Sequence, residues 1–371
     1  MSKTSKITLI SVGVIFLILA LIVVQFRGSQ EEPSTITQPE VPVNAIREFR
    51  ISASAAASEL TKFVESTINE KTGLFYVGYE CDRVAGACVV DESTSTPHFG
   101  YSIMSLAGEQ AKSPHLKEKA DKMISTVVER CQTDREYCEW NFFPLYEYYT
   151  ATGEQKYLDA MVSVGEYLLG QEGQEGFYGS NIPVKWWRLY ELTGDQRYRD
   201  ALLRVANEVL STNMSFLVID SKAIYETPEV TVYEDMFEVV WAMMYPAYKV
   251  SGDTRYLAYA HDYIEKSNII DNWSKVWLSD GRPGSLTIVK VMETMLWLSQ
   301  SDQKYQELYT QQLVLLSEQV LASFWDHPER KMINADYGIM TRRNYKTTNT
   351  NAWYAVVLKD LGERELVIKF Q

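Results

Sequence analysis

A glycine followed four positions later by a tyrosine recurs along the chain, and no other feature constrains its fold as strongly. The copies are Gly153…Tyr157, Gly194…Tyr198 and Gly252…Tyr256, with Ser301…Tyr305 as a variant and a weaker form at Gly108. Each follows an aromatic-rich apolar segment and opens an amphipathic one. Tyr198, Ala201, Leu202, Val205, Ala206 and Val209 recur at helical spacing, as do Tyr157, Leu158, Met161, Val164 and Leu168. Glycine ends one helix in the left-handed conformation, and the Asp or Glu after it caps the next. The tyrosine then falls in the first turn, where its ring staples a helical hairpin.

Extended along the chain, this pattern predicts twelve helices in six hairpins between residues 45 and 361. First members are expected at 45–70, 114–130, 154–170, 195–212, 253–267 and 302–324. Second members are expected at 98–112, 140–152, 181–193, 233–251, 284–299 and 347–361. Periods of roughly 40 to 58 residues suit a solenoid or a closed ring. Variable loops favour the ring, since open solenoids show uniform repeats and polar capping units. With these Gly-x-x-x-Tyr hairpins the sequence resembles the six-hairpin (α/α)6 toroid of many glycosidases, epimerases and unsaturated uronyl hydrolases. The resemblance implies one all-α toroid domain over 45–371.

Residues 7–26 are apolar and uncharged, preceded by Lys3 and Lys6. Twenty helical residues span roughly 30 Å, the thickness of a bilayer core. The flanking lysines favour a cytoplasmic segment at 1–6, a transmembrane signal-anchor at 7–26 and an extracytoplasmic remainder. Cleavage as a signal peptide is the rival, but no small-residue cleavage site follows. Residues 27–44, with Pro33, Pro39 and Pro42, read as a tether. The net charge of −13 argues against nucleic acid as a partner, because phosphate binding needs a basic face. Cys81 and Cys88, and Cys131 and Cys138, are spaced by seven. An even count outside the cytoplasm suggests disulfides, the two local pairs being favoured among three connectivities. Asn213 and Asn272 match the glycosylation pattern. No metal or cofactor is expected: the cysteine spacing does not suit zinc, and His115, His261 and His327 show no ligand spacing.

The expected connections are asymmetric, tight from second to first members and long from first to second. Long ordered loops are uncommon in compact domains unless they have a job. All six long loops would emerge on one rim, at the amino ends of the inner helices, where the helix dipoles present positive ends. The resemblance adds that toroid enzymes work at this rim. The candidates for substrate contact there are His98, Tyr101, Trp140, Asn141, Trp186, Arg282, Asn349 and Trp353. Glu139, Asn181 and Lys185 fall at the same helix starts, and Trp241 and Trp297 read as core. Indole faces suit sugar rings, and Asn and Arg suit hydroxyls.

Glycoside hydrolysis needs one acid to protonate the leaving oxygen and a second carboxylate as base or nucleophile. Asp235, Glu234 and Asp280 are the catalytic candidates. Glu234-Asp235 is similar to the adjacent acidic pair of toroid endo-α-mannanases, which is Asp-Asp there. A capping acid and a turn residue are the structural alternatives. Arg342, Arg343 and Lys346 form a basic cluster suited to an anionic glycan, or simply a solvated loop. The leading expectation is a membrane-anchored, extracytoplasmic glycoside hydrolase acting on a glycan or oligosaccharide. A uronate lyase or sugar epimerase, with Tyr101, His98 or Asn141 moving the proton and Arg282 or Arg342 holding the carboxylate, is one alternative. A non-catalytic glycan-binding toroid is the other.

Overall fold

The computed structural model describes residues 47–82, 87–91, 100–171, 181–212, 236–267, 285–301, 303–326, 338–340 and 345–370. The expected anchor at 7–26, the tether and both glycosylation patterns lie outside these residues. Among the described residues, no helix is long and apolar enough to cross a membrane.

The hairpin pattern is realised. First members span Ala53–Ser66, Pro114–Cys131, Gln155–Gly170, Gln196–Thr212, Thr254–Ser267 and Gln303–Phe324. Second members, here called inner helices one to six, span Gly100–Gly108, Phe142–Thr152, Ile182–Thr193, Met236–Ser251, Ser285–Ser299 and Thr348–Asp360. Inner helix four begins as a π-helix over Met236–Met244 and continues as α-helix over Tyr245–Ser251. Pro246 stands where the two forms meet and, lacking an N–H, removes a rung of the α ladder.

The turns behave as their chemistry requires. Gly153, Gly194 and Gly252 adopt φ of 71°, 71° and 70°, and their N–H groups bond the carbonyls of Tyr149, Tyr190 and Tyr248. Asp195 and Asp253 then accept from the backbone N–H of Arg197 and Arg255 at 2.9 and 3.0 Å. Glu154 makes no such side-chain cap. Tyr157, Tyr198 and Tyr256 are buried, and the latter two bond across to Glu166 and Asn207 of the preceding outer helices.

Each of the first five inner helices packs on the outer helix that follows it, and inner helix six packs on the first outer helix, Ala53–Ser66. The ring is therefore closed. A clasp not expected from the sequence reinforces the closure: strand β1 (Arg47–Ser52) pairs antiparallel with a strand at the carboxyl end, Glu365–Phe370, from Arg47↔Phe370 to Ser52↔Glu365. The helix expected from residue 45 therefore starts only at Ala53, capped by the Ser52 hydroxyl, which accepts from Ala55 N at 3.2 Å. Phe49 and Ile51 alternate towards the core, a period of two that a partner strand stabilises.

The all-α expectation needs a second correction. Gly78–Asp82 and Ala87–Asp91 form a hairpin, and Tyr345–Thr347 adds to the first of them as a third strand. Cys81–Cys88 bridges that hairpin and Cys131–Cys138 closes the second loop, the two local pairings favoured by spacing. Lys346 is not a surface cation. Pairing of Tyr345–Thr347 turns its side chain inward, where it is fully buried and ion-paired with Asp326. Arg342 and Arg343 lie outside the described residues.

Gly165 marks a close crossing of an outer helix. A Cβ there would lie 2.3 Å from Leu189 Cδ1 and 2.9 Å from the Tyr198 ring, both in the buried core. Gly165→Ala gains about 1 kcal/mol of helix propensity but overpacks the crossing at a cost of about 1–3 kcal/mol. Net destabilisation is expected in urea denaturation; a neutral or stabilised variant would mean that Leu189 and Tyr198 give way freely.

Candidate functional site

Four of the inner helices bring their amino ends to a common pocket. It is lined by Gly100 and Tyr101 of helix one, Phe143 of helix two, Asn181 and Lys185 at the start of helix three, and Asn349 and Trp353 of helix six. Glu139 and Trp140 complete it from a short helix, Arg135–Trp140, held by the Cys131–Cys138 bridge. Tyr101 and Trp353 stack at 4.3 Å between ring centroids, 14° from parallel. Lys185, almost entirely buried, donates to Glu139 Oε1 at 2.8 Å. Asn181 holds φ of 58°, the one positive-φ non-glycine among the described residues. Asparagine is among the few side chains that tolerate this conformation, and such strain clusters at ligand sites.

Of the substrate-contact candidates, Tyr101, Trp140, Asn349 and Trp353 line this pocket. Asn141 and Trp186 do not, because both are fully buried. Asn141 Nδ2 donates to Tyr137 O at 2.8 Å, joining the short helix to inner helix two. Trp186 is directed into the packing between helices, where large apolar side chains are drawn. Trp241 is core as expected, and Trp297 packs against it at 4.9 Å. His98, Glu234, Asp235, Asp280 and Arg282 lie outside the described residues, as do His327 and the loops carrying them.

A second concavity adjoins the first. It encloses about 710 Å³ and is lined by Gln132, Thr133, Arg135, Glu136 and Tyr167, together with Glu139 and Trp140. The last two are shared with the central pocket, so the surfaces run on across the Trp140 indole. Tyr167 is 37% exposed, and the Arg135 guanidinium sits 5.6 Å above its ring.

One residue of the site was missed from the sequence. Glu293, midway along inner helix five, is buried directly behind the pocket wall. Tyr101 Oη and Trp353 Nε1 both donate to its Oε2, at 2.8 and 2.7 Å. Burial pushes the Glu293 carboxyl up to about 8, and nearby Asp360 adds to this; the two donors and Arg188 oppose it. The signal was present in the run Ile288-Val289-Lys290-Val291-Met292-Glu293-Thr294-Met295, where an acid stands among the apolar residues of the buried face.

The same shift links stability to pH. A carboxyl whose folded pKa lies above its unfolded value binds more protons when folded, so its contribution is whole below about 4.5. It is lost as pH rises towards about 8. The full span corresponds to a few kcal/mol, on the order of 1.4 per unit. Glu293→Gln removes the ionisation while keeping an acceptor. The melting temperature of the variant relative to the parent is expected to climb between pH 5 and pH 8; a constant difference would contradict a neutral buried acid.

No family model and no curated protein matches the sequence. Solved structures do match it in fold. A variant of the unsaturated glucuronyl hydrolase of Streptococcus agalactiae superposes with a TM-score of 0.61 at 12% identity, covering 85% of this chain and 92% of that one. An α-1,6-mannanase from a Salegentibacter species gives 0.55 at 11% identity, over 84% and 99% of the two chains. The unsaturated glucuronyl hydrolase of a Bacillus species gives 0.55 at 9% identity, over 84% and 97%. Ring closure, the six hairpins and these likenesses agree: the fold is the six-hairpin toroid shared by these glycosidases.

Proposed function

We propose that the chain is a glycoside hydrolase acting on an oligosaccharide or longer glycan, tethered outside the cytoplasm by residues 7–26. The observation carrying this reading is the rim pocket itself. Aromatic side chains of Tyr101, Trp140 and Trp353 line it together with the amide and charged groups of Asn181, Asn349, Glu139 and Lys185, at inner-helix amino ends or just before them. Flat apolar faces suit the C–H side of a sugar ring, and the polar groups suit its hydroxyls. The adjoining groove across Trp140 supports a chain of several sugars over a single unit, since its volume falls in the range of about 300–1,000 Å³ usual for ligand sites.

The hydrolytic carboxylates in this reading are Asp235 and Glu234, with Asp280 as the third candidate. In sequence, Asp235 immediately precedes inner helix four, which starts at Met236. The Salegentibacter mannanase supports the assignment by analogy: a variant with two adjacent aspartates replaced is inactive and was seen with α-1,6-mannotetraose. His98 and Arg282 are assigned to substrate contact on the same rim.

Turnover of a glycan panel by the full chain tests the reading. Asp235→Asn should lower turnover by about 10²-fold or more without shifting the melting temperature; unchanged turnover would remove Asp235 from the mechanism. Tyr167→Ala should raise KM for long oligosaccharides and leave short ones unaffected, and an equal effect on both would detach the groove from substrate binding. Resistance of the full chain to alkaline extraction from membranes tests the tether, and release into the supernatant would argue against it.

A further inference from the structure

We propose that Glu293 is a positioning residue that sets Tyr101 as the proton donor of the rim pocket. The inference rests on the hydrolase reading and deepens it. Its basis is the geometry at one oxygen: Glu293 Oε2 accepts from Trp353 Nε1 at 2.7 Å and lies 2.8 Å from Tyr101 Oη. An indole N–H can only donate, so one lone pair of Oε2 is committed to Trp353. The other side of Oε2 faces the phenol, whose oxygen can either donate or accept.

The charge state of Glu293 therefore decides the direction of the Tyr101 bond. With a carboxylate, the phenol must donate to it and turns its hydrogen away from the pocket. With a neutral carboxyl, the acid donates to Tyr101 Oη, and the phenolic hydrogen turns to the pocket side. Tyr101 is partly exposed there, whereas Glu293 is sealed beneath the Tyr101–Trp353 stack. Among the described residues, the titratable and charged groups that act on Glu293 are Tyr101 of inner helix one, Arg188 of helix three and Asp360 of helix six. Burial outweighs the one cation among them, so the neutral form prevails at neutral pH.

The proton transfer balances within hydrolysis. The glycosidic oxygen takes the Tyr101 proton as its bond to the anomeric carbon breaks and the electron pair leaves with that oxygen. Tyr101 takes the proton of Glu293, which is left as a carboxylate held by two donors. Water adds to the anomeric carbon and gives its proton to the carboxylate assigned above as base, and a proton returning from the pocket through Tyr101 restores Glu293. A tyrosine alone is a weak acid at neutral pH; coupled to a buried carboxyl it delivers the carboxyl's proton.

The test uses the full chain and Glu293→Gln, which keeps the acceptor and cannot supply the proton. Loss of about 10²-fold or more in kcat is expected, with KM little changed and the alkaline limb of the pH profile abolished. Tyr101→Phe should cost as much, and the double variant no more than either. An infrared band of a neutral carboxyl, present at pH 6 and missing in Glu293→Gln, is read in parallel, together with the tyrosine ultraviolet difference signal that Tyr101→Phe removes. Retained kcat with an unaltered pH profile would overturn the proposal. If no glycan is turned over, the hydrolase reading fails, and the spectra decide the coupling separately: a Tyr101 signal that titrates with the carboxyl band upholds it, and one that does not overturns it.

Discussion

A single carboxyl oxygen joins three of the six inner helices. Glu293 Oε2 on helix five is hydrogen-bonded to Tyr101 Oη on helix one and to Trp353 Nε1 on helix six, partners 192 and 60 residues away along the chain. Placing an ionised group there would cost several kcal/mol, and the fold answers by keeping the carboxyl neutral and hydrogen-bonded. Two consequences follow from that one choice. The Tyr101–Trp353 stack is fixed in place as a pocket wall, and a proton is stored behind it. Neither would survive if the ring were open, because helices one, five and six meet only when the last hairpin returns to the first. Closure is thus a condition of the site as well as of the fold.

Closure itself depends on interactions at both ends of the domain. Inner helix six lies against the first outer helix, and β1 pairs with Glu365–Phe370. Local rules read the hairpins well, because each turn carries its own chemistry: a left-handed glycine, an acidic cap and a first-turn tyrosine. Gly153, Gly194 and Gly252 all stand at the predicted helix ends. The clasp was invisible to those rules. Residues 47–52 become a strand only because residues more than 300 positions later offer an edge, and strand preference depends on such context.

The site was legible to the extent that it follows from helix starts. Tyr101, Trp140, Asn349 and Trp353 meet because each sits at the amino end of an inner segment, or just before it. Trp186 and Asn141 share that position in sequence yet turn into the packing, a difference of helical phase that aromatic content alone does not encode. Lys346 was misread for a related reason. Three basic residues in a run of five look like a solvated loop, but strand pairing sends one of them into the core against Asp326. Glu293 escaped notice because the acids were sought at helix starts, while this one lies two turns inside, where burial rather than exposure alters its chemistry.

The central claim is that a sugar ring binds at the rim pocket, against aromatic walls and within reach of the Tyr101 hydroxyl. A crystal structure of the full chain soaked with an oligosaccharide that it turns over or retains tests this most directly. The account predicts a ring seated between Trp140 and Trp353, a hydroxyl or glycosidic oxygen within hydrogen-bond distance of Tyr101 Oη, and Asp235 facing it across the cavity. A sugar bound elsewhere, or Asp235 turned away from an occupied pocket, would contradict it.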